Sequence, residues 1–396
     1  MATAAPMRAI NARYAGWGGI ALGLVAWFIA LPPALVRTPV PSILIGLLAL
    51  VAGAWAIRGE ERRLGWGAIA AGLIGGTGAV AATKSGVGNL EDVVTWSALF
   101  AAALRYATPL LFGALGGILS ERSGVINVGL EGMMLMGAFF GVFGADIVGS
   151  WVGGIAVGVA AGAALGLVHA FVSIQLRADQ VVSGTAINIL ALGITGYVFI
   201  YHYGDQGTPA EISRVPNVSL PGVENISFVG EAIGKASLLT WAALLLVPLL
   251  TLFLFRTRGG LRLRSVGEKP RAADSVGLPV LRTRYLAVVA SGALAALGGV
   301  YLSIALLGSF SENMTAGRGF IALAAVIFGN WRPWGALAGA LLFGFSTALA
   351  QRLPAFSEST AVLFQALPYV LTLVVVAGVI GRSRPPAAIG VPYLKE

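Results

Sequence analysis

Apolar residues in this chain form long uninterrupted stretches, which are separated by short polar or basic connections. About twelve stretches are visible, near residues 15–35, 41–57, 64–82, 96–119, 125–145, 151–175, 181–203, 238–256, 284–306, 318–330, 334–350 and 361–381. Because a helix needs about 20 apolar residues to cross a bilayer, the pattern predicts an all-α, polytopic transmembrane helical bundle with about 12 spans. The stretch 318–330 is the weakest, and a half-helix or re-entrant segment is its alternative.

Composition supports a membrane protein. Hydrophobic residues make up 57% of the 396 positions and charged residues only 11%, whereas soluble domains carry roughly 25% charged residues. The 55 glycines allow helices to approach closely in lipid. Arg8 and Arg13 precede the first apolar stretch as in a signal peptide, but Pro32, Pro33 and Arg37 follow it, so we expect an uncleaved first span.

The basic connections predict the orientation. The segment between the eighth and ninth stretches contains only two acidic residues, Glu268 and Asp274, among many basic ones: Arg256, Arg258, Arg262, Arg264, Lys269, Arg271, Arg282 and Arg284. The positive-inside rule places this segment in the cytoplasm. Alternation then places both termini in the cytoplasm and residues 204–237 outside. We therefore expect a multi-pass protein of a bacterial-type plasma (inner) membrane. The net charge of +9 is explained by the basic cytoplasmic connections, and no nucleic-acid partner is expected.

Enzyme chemistry is not expected. Cysteine is absent and only His169 and His202 are present, so neither a metal site nor a bound cofactor is predicted. The segment GAVAATKS (78–85) departs from a phosphate-binding loop at Thr83, and no G-x-S-x-G or H-E-x-x-H motif occurs. We predict no catalytic residue and no ATP hydrolysis by this chain, and we interpret His169 as a packed histidine with one hydrogen bond.

An internal repeat is suggested by two related segments. RYATPLLFGALGG (105–117) and RYLAVVASGALAALGG (284–299) are each followed by a polar interruption, a second apolar segment and a span that opens with tryptophan. The predicted orientation makes the copies run in opposite directions, which indicates an inverted repeat in residues 96–381; chance similarity in an Ala- and Gly-rich chain is the alternative. We predict an N-terminal three-span addition over 1–90 and a core over 91–396.

The first polar interruption is LSERSGVINVGLEGMMLMGAF (119–139). Its candidate residues are polar or turn-forming: Ser120, Glu121, Arg122, Gly124, Asn127 and Glu131. Glu121 and Arg122 cap the loop, Gly124 permits a tight turn, and the i, i+4 spacing of Asn127 and Glu131 predicts a shared helix face. A carboxylate entering a span should be paired or face water, although Glu131 could instead only favour the dipole of its own first helical turn.

The second interruption, VGEKPRAADSVGL (266–278), lies in the basic connection. Pro270 is suited to open a short helix and Gly277 to end it. Such a helix, lying parallel to the membrane, is suited to docking a soluble partner; an ordinary topogenic loop is the alternative. The candidate residues are those of and around this helix: Glu268, Lys269, Pro270, Arg271, Ala272, Ala273, Asp274 and Gly277.

These two motifs, together with GRGFIALAAVIFGNWRPWGALAGALLFG (317–344) and GRSRPPAAIGVPY (381–393), resemble the permease family of ABC importers for ribose-type sugars, nucleosides and branched-chain amino acids. The first and last motifs are most similar to nucleoside (simple sugar) uptake permeases. The four motifs occur in the same order over roughly residues 96–393, whereas the portion before about residue 90 is not clearly covered.

The resemblance implies several partners. Two permease subunits form one translocation path; the nucleoside-type relatives suggest a heterodimer with a second, similar permease, and a homodimer is the alternative. An extracytoplasmic substrate-binding protein or lipoprotein delivers substrate near 309–319 and 204–237. ABC ATPase subunits, which bind the ATP, dock inside through a coupling helix within 268–278. Candidate substrate-path residues are Asn127, Asn188 and Tyr197, each with interhelical hydrogen bonding as its alternative role.

The predicted function is therefore the permease subunit of an ABC importer that translocates nucleosides or related simple sugars, with ATP hydrolysed by a separate subunit. The alternative is an ion-coupled secondary carrier or channel for small polar solutes, which would use charged residues deep in spans. Arg105 and Glu131 are the chief candidates for that role. An integral-membrane enzyme is a third class, and the missing motifs argue against it.

Overall fold

The computed structural model describes residues 4–30, 40–84, 96–209, 211–219, 222, 230–352 and 384–394. These residues are mostly helical, which confirms the all-α prediction. They divide into two compact units, of which the first holds the chain up to residue 102 together with 345–352, and the second holds 103–344 together with 384–394.

The first unit contains three complete helices, α1 (Ala4–Ala30), α2 (Val40–Arg58) and α3 (Arg62–Lys84). It also contains the start of α4 (Trp96–Arg122) and the end of α13 (Pro333–Arg352). Small residues line the contacts among α1, α2 and α3, because Gly19 lies against Ala49 and Ala68 and Gly53 lies against Gly65. Such residues let helices approach closely where lipid provides no hydrophobic driving force.

The second unit contains most of α4 and α13 and the helices between them. These are α5 (Leu130–Val148), α6 (Trp151–Ala170), α7 (Gln180–Tyr203), α8 (Leu238–Arg256), α9 (Arg258–Glu268), α10 (Pro270–Ser275), α11 (Val280–Val300) and α12 (Arg318–Phe328). A short antiparallel pair of strands, β1 (Asn217–Ser219) and β2 (Lys235–Ser237), precedes α8. Single π-helical segments extend α6 over Phe171–Gln175 and α11 over Tyr301–Leu307.

Eight helices within the described ranges are long and apolar enough to cross a membrane. They correspond to eight of the predicted stretches: Val40–Arg58, Ser97–Arg122, Leu130–Val148, Trp151–Gln175, Gln180–Tyr203, Leu238–Arg256, Val280–Leu307 and Pro333–Gln351. The total of about twelve is not confirmed, and the stretch 361–381 lies outside the described residues. The 11 residues of α12 span only about 16 Å, a length that favours the half-helix alternative for this segment.

Close packing of α5, α6 and α11 forms the centre of the second unit. Glycines again mark the contacts, since Gly137 of α5 lies against Ala296 of α11, and Gly162 of α6 lies against Gly292 of α11. Around them lies an apolar cluster that includes Phe112, Met134, Phe139 and Tyr301, all almost fully buried. These closely packed helices position the polar groups described below.

Adding one methyl group at Gly292 is expected to destabilise the protein. A Cβ atom there would meet the backbone of Gly162 at less than van der Waals separation, and such overpacking costs about 1–3 kcal/mol. Gly193→Ala is the matched control, because a Cβ on α7 at that position meets nothing within 4 Å and alanine is the better helix former. Thermal unfolding in detergent should show a lower midpoint for Gly292→Ala alone.

Candidate functional site

Polar side chains from several helices converge on the connection between α4 and α5, residues 120–131, here called the central segment. Residues 123–129 are not helical, so their backbone groups need partners from elsewhere in the protein. Gly124 has φ +92°, which confirms the predicted tight turn. The prediction that Asn127 and Glu131 share a helix face was wrong, because α5 begins only at Leu130.

Helices α6 and α7 provide the partners of Ile126. Its backbone N–H donates to Gln180 Oε1 at 2.7 Å, and its carbonyl accepts from His169 Nε2 at 3.0 Å. With Nε2 as the donor, Nδ1 is free to accept from Ser183 Oγ at 3.0 Å and Ser173 Oγ at 3.3 Å. His169 is thus a packed histidine as interpreted, with hydrogen bonds at both ring nitrogens where one was expected.

Asn188 joins α7 to the start of α5. Its Oδ1 accepts from the Gly132 N–H at 2.8 Å, and its Nδ2 donates to the Val128 carbonyl at 3.1 Å. The amide therefore satisfies one orphan donor of the first turn of α5 and one carbonyl of the non-helical segment. This geometry favours the interhelical role of Asn188.

Asn127 is fully buried and bonds to α11. Its Nδ2 donates to Ser291 Oγ at 2.9 Å and lies 3.4 Å from Met133 Sδ. Its Oδ1 is buried without a hydrogen-bond partner. The side chain thus ties the central segment to α11.

Glu131 lies in the first turn of α5 but bonds to the start of another helix. Its Oε1 accepts from the Gly317 N–H at 2.8 Å and its Oε2 accepts from the Gly319 N–H. Both donors belong to the N-terminus of α12, where the partial positive charge of the helix dipole stabilises a carboxylate. A side chain at Gly319 would collide with the Glu131 backbone, so glycine permits this close approach.

Glu121 and Arg122 hold the opposite end of α12. Trp331, in the turn after α12, donates its indole N–H to Glu121 Oε2, and its carbonyl accepts from Arg122 Nε at 3.1 Å and Nη2 at 3.0 Å. Asn330 and Trp331 have φ of +53° and +54°, a region that non-glycine residues rarely adopt. The central segment therefore clamps the half-helix at both ends.

The short helix predicted to open at Pro270 is present. α10 starts at Pro270 and is followed by Gly277 with φ +80°, as predicted, while Glu268 is the last residue of α9, a helix that the sequence did not predict. Ala273 packs with Val266, Val280 and Tyr393. The other docking candidates are exposed or half-buried: Glu268, Lys269, Pro270, Arg271, Ala272, Asp274 and Gly277.

The three predicted path residues do not meet. Asn127 and Asn188 both adjoin the start of α5, but Tyr197 lies nine residues beyond Asn188 on α7, or about 13 Å along the helix axis. It is 71% exposed and stacks on Tyr201, with ring centroids 6.1 Å apart. In the described ranges, no group of three or more His, Cys, Asp or Glu residues could hold a metal ion.

Several residues of the site were not predicted. Gln180, Ser291 and Trp331 carried no specific signal, although the run GNWRP (329–333) contains the Gly, Asn and Pro typical of a turn. Arg284 was counted only as a charge that sets topology. It is in fact buried, at 1% exposure, and its Nε donates to the Ser123 carbonyl at 3.2 Å.

Comparison with known protein families gives a match over most of the chain. The family described as the permease component of branched-chain amino acid transport systems matches residues 99–376. No solved structure matches the chain.

Several curated proteins are similar. The guanosine ABC transporter permease protein NupQ of Bacillus subtilis is 43% identical over 77% of this chain and 99% of its own length. The nucleoside ABC transporter permease protein NupC of Lactococcus lactis is 39% identical over 78% of this chain and 100% of its own length. The putative glucose ABC transporter permease protein TsgC13 of Haloferax volcanii is 41% identical over 64% of this chain and 77% of its own length.

Bacillus subtilis and Lactococcus lactis each also have a more distant relative of this chain. NupP, a guanosine ABC transporter permease protein of Bacillus subtilis, is 24% identical over 61% of this chain and 70% of its own length. NupB, a nucleoside ABC transporter permease protein of Lactococcus lactis, is 25% identical over 61% and 69%.

Proposed function

This chain belongs to the permease-component family of branched-chain amino acid transport systems, and we propose that it forms the translocation path of an ABC importer for nucleosides. The observation that carries the proposal is the 43% identity to the guanosine permease NupQ over 99% of the length of that protein. NupC supports the same substrate class, whereas the name of TsgC13 points to a sugar. Subunits of this family are not enzymes, and ATP is used by the partner ATPase.

α10 is our proposed contact with the ATPase. Its support is geometric, because only Ala273 is buried against the rest of the protein, while Arg271, Ala272, Ser275 and Val276 are exposed. A partner can therefore contact this helix without unpacking it. Motion of the ATPases on binding ATP would then reach the protein through α10.

The proposed orientation places α9 and α10 in the cytoplasm. Exposed Arg258, Arg262 and Arg271 lie on these helices, and the positive-inside rule favours this side for them. The segment with exposed Ser311 and Glu312 then faces outward, where we propose that the substrate-binding protein or lipoprotein docks. We propose a plasma-membrane location, with both termini in the cytoplasm as the predicted alternation of spans requires.

We propose that a second, similar permease completes the path. Support comes from the two bacteria in which a pair of nucleoside-type permeases, NupQ with NupP and NupC with NupB, both resemble this chain. Tyr197 is exposed on α7 and offers an aromatic face on which a nucleobase could stack. Asn127 and Asn188 would support that path by holding the start of α5.

The inverted repeat over 96–381 and the division at residue 90 stay proposals. In the described part of the repeat, both copies have the same order of elements. Each begins with a long helix (α4 or α11), continues with a non-helical segment and a further helix, and ends with a helix that has a tryptophan near its start. A separate N-terminal addition is supported by the start of the family match at residue 99. The two copies differ in that α5 has 19 residues and α12 has 11.

The test is competition for uptake. Proteoliposomes that contain the chain with its ATPase, binding protein and second permease should accumulate radiolabelled guanosine only when ATP is present on the ATPase side. An excess of unlabelled nucleosides should reduce this uptake at least about tenfold, whereas glucose and leucine should leave it unchanged. Competition by glucose alone would contradict the nucleoside proposal, and ATP-independent uptake would contradict the importer.

A further inference from the structure

The C-terminal tail, residues 384–394, contains no helix or strand, yet it touches many parts of the second unit. Its first described residue, Arg384, donates its backbone N–H to Asn330 Oδ1 at 3.0 Å. Asn330 belongs to the turn between α12 and α13, which Glu121 and Arg122 also hold. One end of the tail is therefore fastened next to the half-helix.

The middle of the tail is fastened to the end of α9. The Ala387 N–H donates to Glu268 Oε2 at 3.1 Å, and the Ala388 N–H donates to the Gly267 carbonyl at 2.9 Å. Both acceptors lie immediately before α10. The tail is thus hydrogen-bonded to the segment that joins α9 to α10.

The remainder of the tail is fastened to the central segment and to α11. The Gly390 N–H donates to the Gly124 carbonyl at 3.1 Å, and the Val391 carbonyl accepts from Arg284 Nη1 at 3.0 Å. The same guanidinium bonds to the Ser123 carbonyl, so Arg284 joins the tail, α11 and the central segment at one point.

The last contact is apolar. Tyr393 is buried with Ala273 of α10, Val266 of α9 and Val280 of α11. A chain end that only trailed into solvent would bury no aromatic ring, and its backbone donors would bond to water. Here four backbone N–H groups of the tail bond outside it instead, to the α12–α13 turn, the end of α9 and the central segment.

Proline stiffens this connection. Pro385, Pro386 and Pro392 fix their own φ angles, and the turns over 387–390 between them are closed by hydrogen bonds from the Ile389 N–H to the Pro386 carbonyl at 3.1 Å and from the Val391 N–H to the Ala388 carbonyl at 3.2 Å. A segment whose backbone is restricted by prolines and closed turns, and which is bonded to its surroundings at several points, transmits displacement along its length, whereas a flexible segment absorbs it. The tail therefore has both the contacts and the stiffness of a mechanical link.

We propose that the C-terminal tail is a strap that makes α10 move together with the α12–α13 turn and the central segment, and that Arg284 is a positioning residue of this strap. The proposal rests on the proposed function, because it gives α10 the role of receiving motion from the ATPase. Displacement of α10 then reaches both ends of the half-helix α12.

The test measures coupling, expressed as nucleoside molecules transported per ATP hydrolysed in the reconstituted transporter. Asn330→Gly with Tyr393→Ala releases both ends of the strap, and glycine tolerates the positive φ at position 330. The matched variant, Asn330→Asp with Tyr393→Phe, keeps the acceptor oxygen and the ring. We expect the released variant to bind the ATPase and hydrolyse ATP while its coupling ratio falls at least about tenfold, and the matched variant to stay within about twofold of wild type.

A second variant keeps the hydrogen bonds and the buried ring described above. Pro385 and Pro392 are both exposed, so Pro385→Gly with Pro392→Gly only loosens the strap, and we expect the coupling ratio to fall about threefold. If the released variant does not assemble, the coupling ratio of this proline variant tests the strap. An unchanged ratio in either variant, with wild type coupled, overturns the strap; absence of nucleoside uptake by wild type instead counts against the proposed function.

Discussion

Replacing Glu131 with glutamine is expected to reduce ATP-driven nucleoside uptake at least about tenfold. The carboxylate accepts hydrogen bonds from two N–H groups at the start of α12. Glutamine offers only one acceptor oxygen and directs an NH₂ donor at the second N–H, which leaves a buried donor unsatisfied. Because a hydrogen bond to a charged group contributes about 1.5–3 kcal/mol, the end of α12 should lose its fixed position.

The measurement is the initial uptake rate in proteoliposomes, divided by the amount of transporter that retains its ATPase. This division separates loss of function from loss of assembly. Glu131→Asp, which keeps the charge on a shorter side chain, should retain an intermediate rate. Glu60→Gln, in the exposed turn after α2, makes the same chemical change elsewhere and should transport as wild type does. Wild-type uptake by Glu131→Gln would show that the clamp on α12 is not needed.

The largest expected effect on assembly comes from exchanging the charges of α10. Arg271→Glu together with Asp274→Arg should reduce the ATPase that copurifies with the detergent-solubilised protein at least about tenfold. Charge complementarity at an interface suppresses wrongly charged partners, and the exchange inverts the pattern that the ATPase would meet. The pair preserves the net charge, so the topology signal of the basic connection is unchanged.

The control is a charge exchange of the same kind at another place, Glu61→Arg with Arg62→Glu at the start of α3. It should leave the ATPase bound. If α10 is not the docking helix, as much ATPase will copurify with the variant exchanged at residues 271 and 274 as with wild type. If wild type itself retains no ATPase while folded, the importer assignment fails and a self-powered carrier becomes the better hypothesis.

One short motif holds both ends of the half-helix α12. Glu131 holds the start of α12, while Glu121 and Arg122 hold the turn after it, and all three belong to the same short motif. A non-helical segment inside the protein is stable only when its polar groups are satisfied. The buried side chains around the central segment fulfil that requirement, and we expect the moving parts of transport to be bounded by them.

Local signals in the sequence determined most of the helices, though not α9, and two of the turns. Apolar stretches long enough to cross lipid predicted eight spans that the structure contains, because membrane thickness sets their length. Gly124 predicted a turn that needs positive φ, and Pro270 and Gly277 predicted the ends of α10, because these residues restrict or free the backbone themselves. The four motifs also sufficed to indicate the permease family.

Only the tertiary structure decided what the polar residues contact. Glu131 was expected to be paired, to face water or to favour its own helix, yet its donors lie 186 and 188 residues away on α12. Arg284 resembled a topology charge and is a buried link between α11, the central segment and the tail. Periodicity and composition report a residue's neighbours along the chain, whereas these bonds depend on which helices pack together, and that is settled by close contacts of small residues throughout the fold.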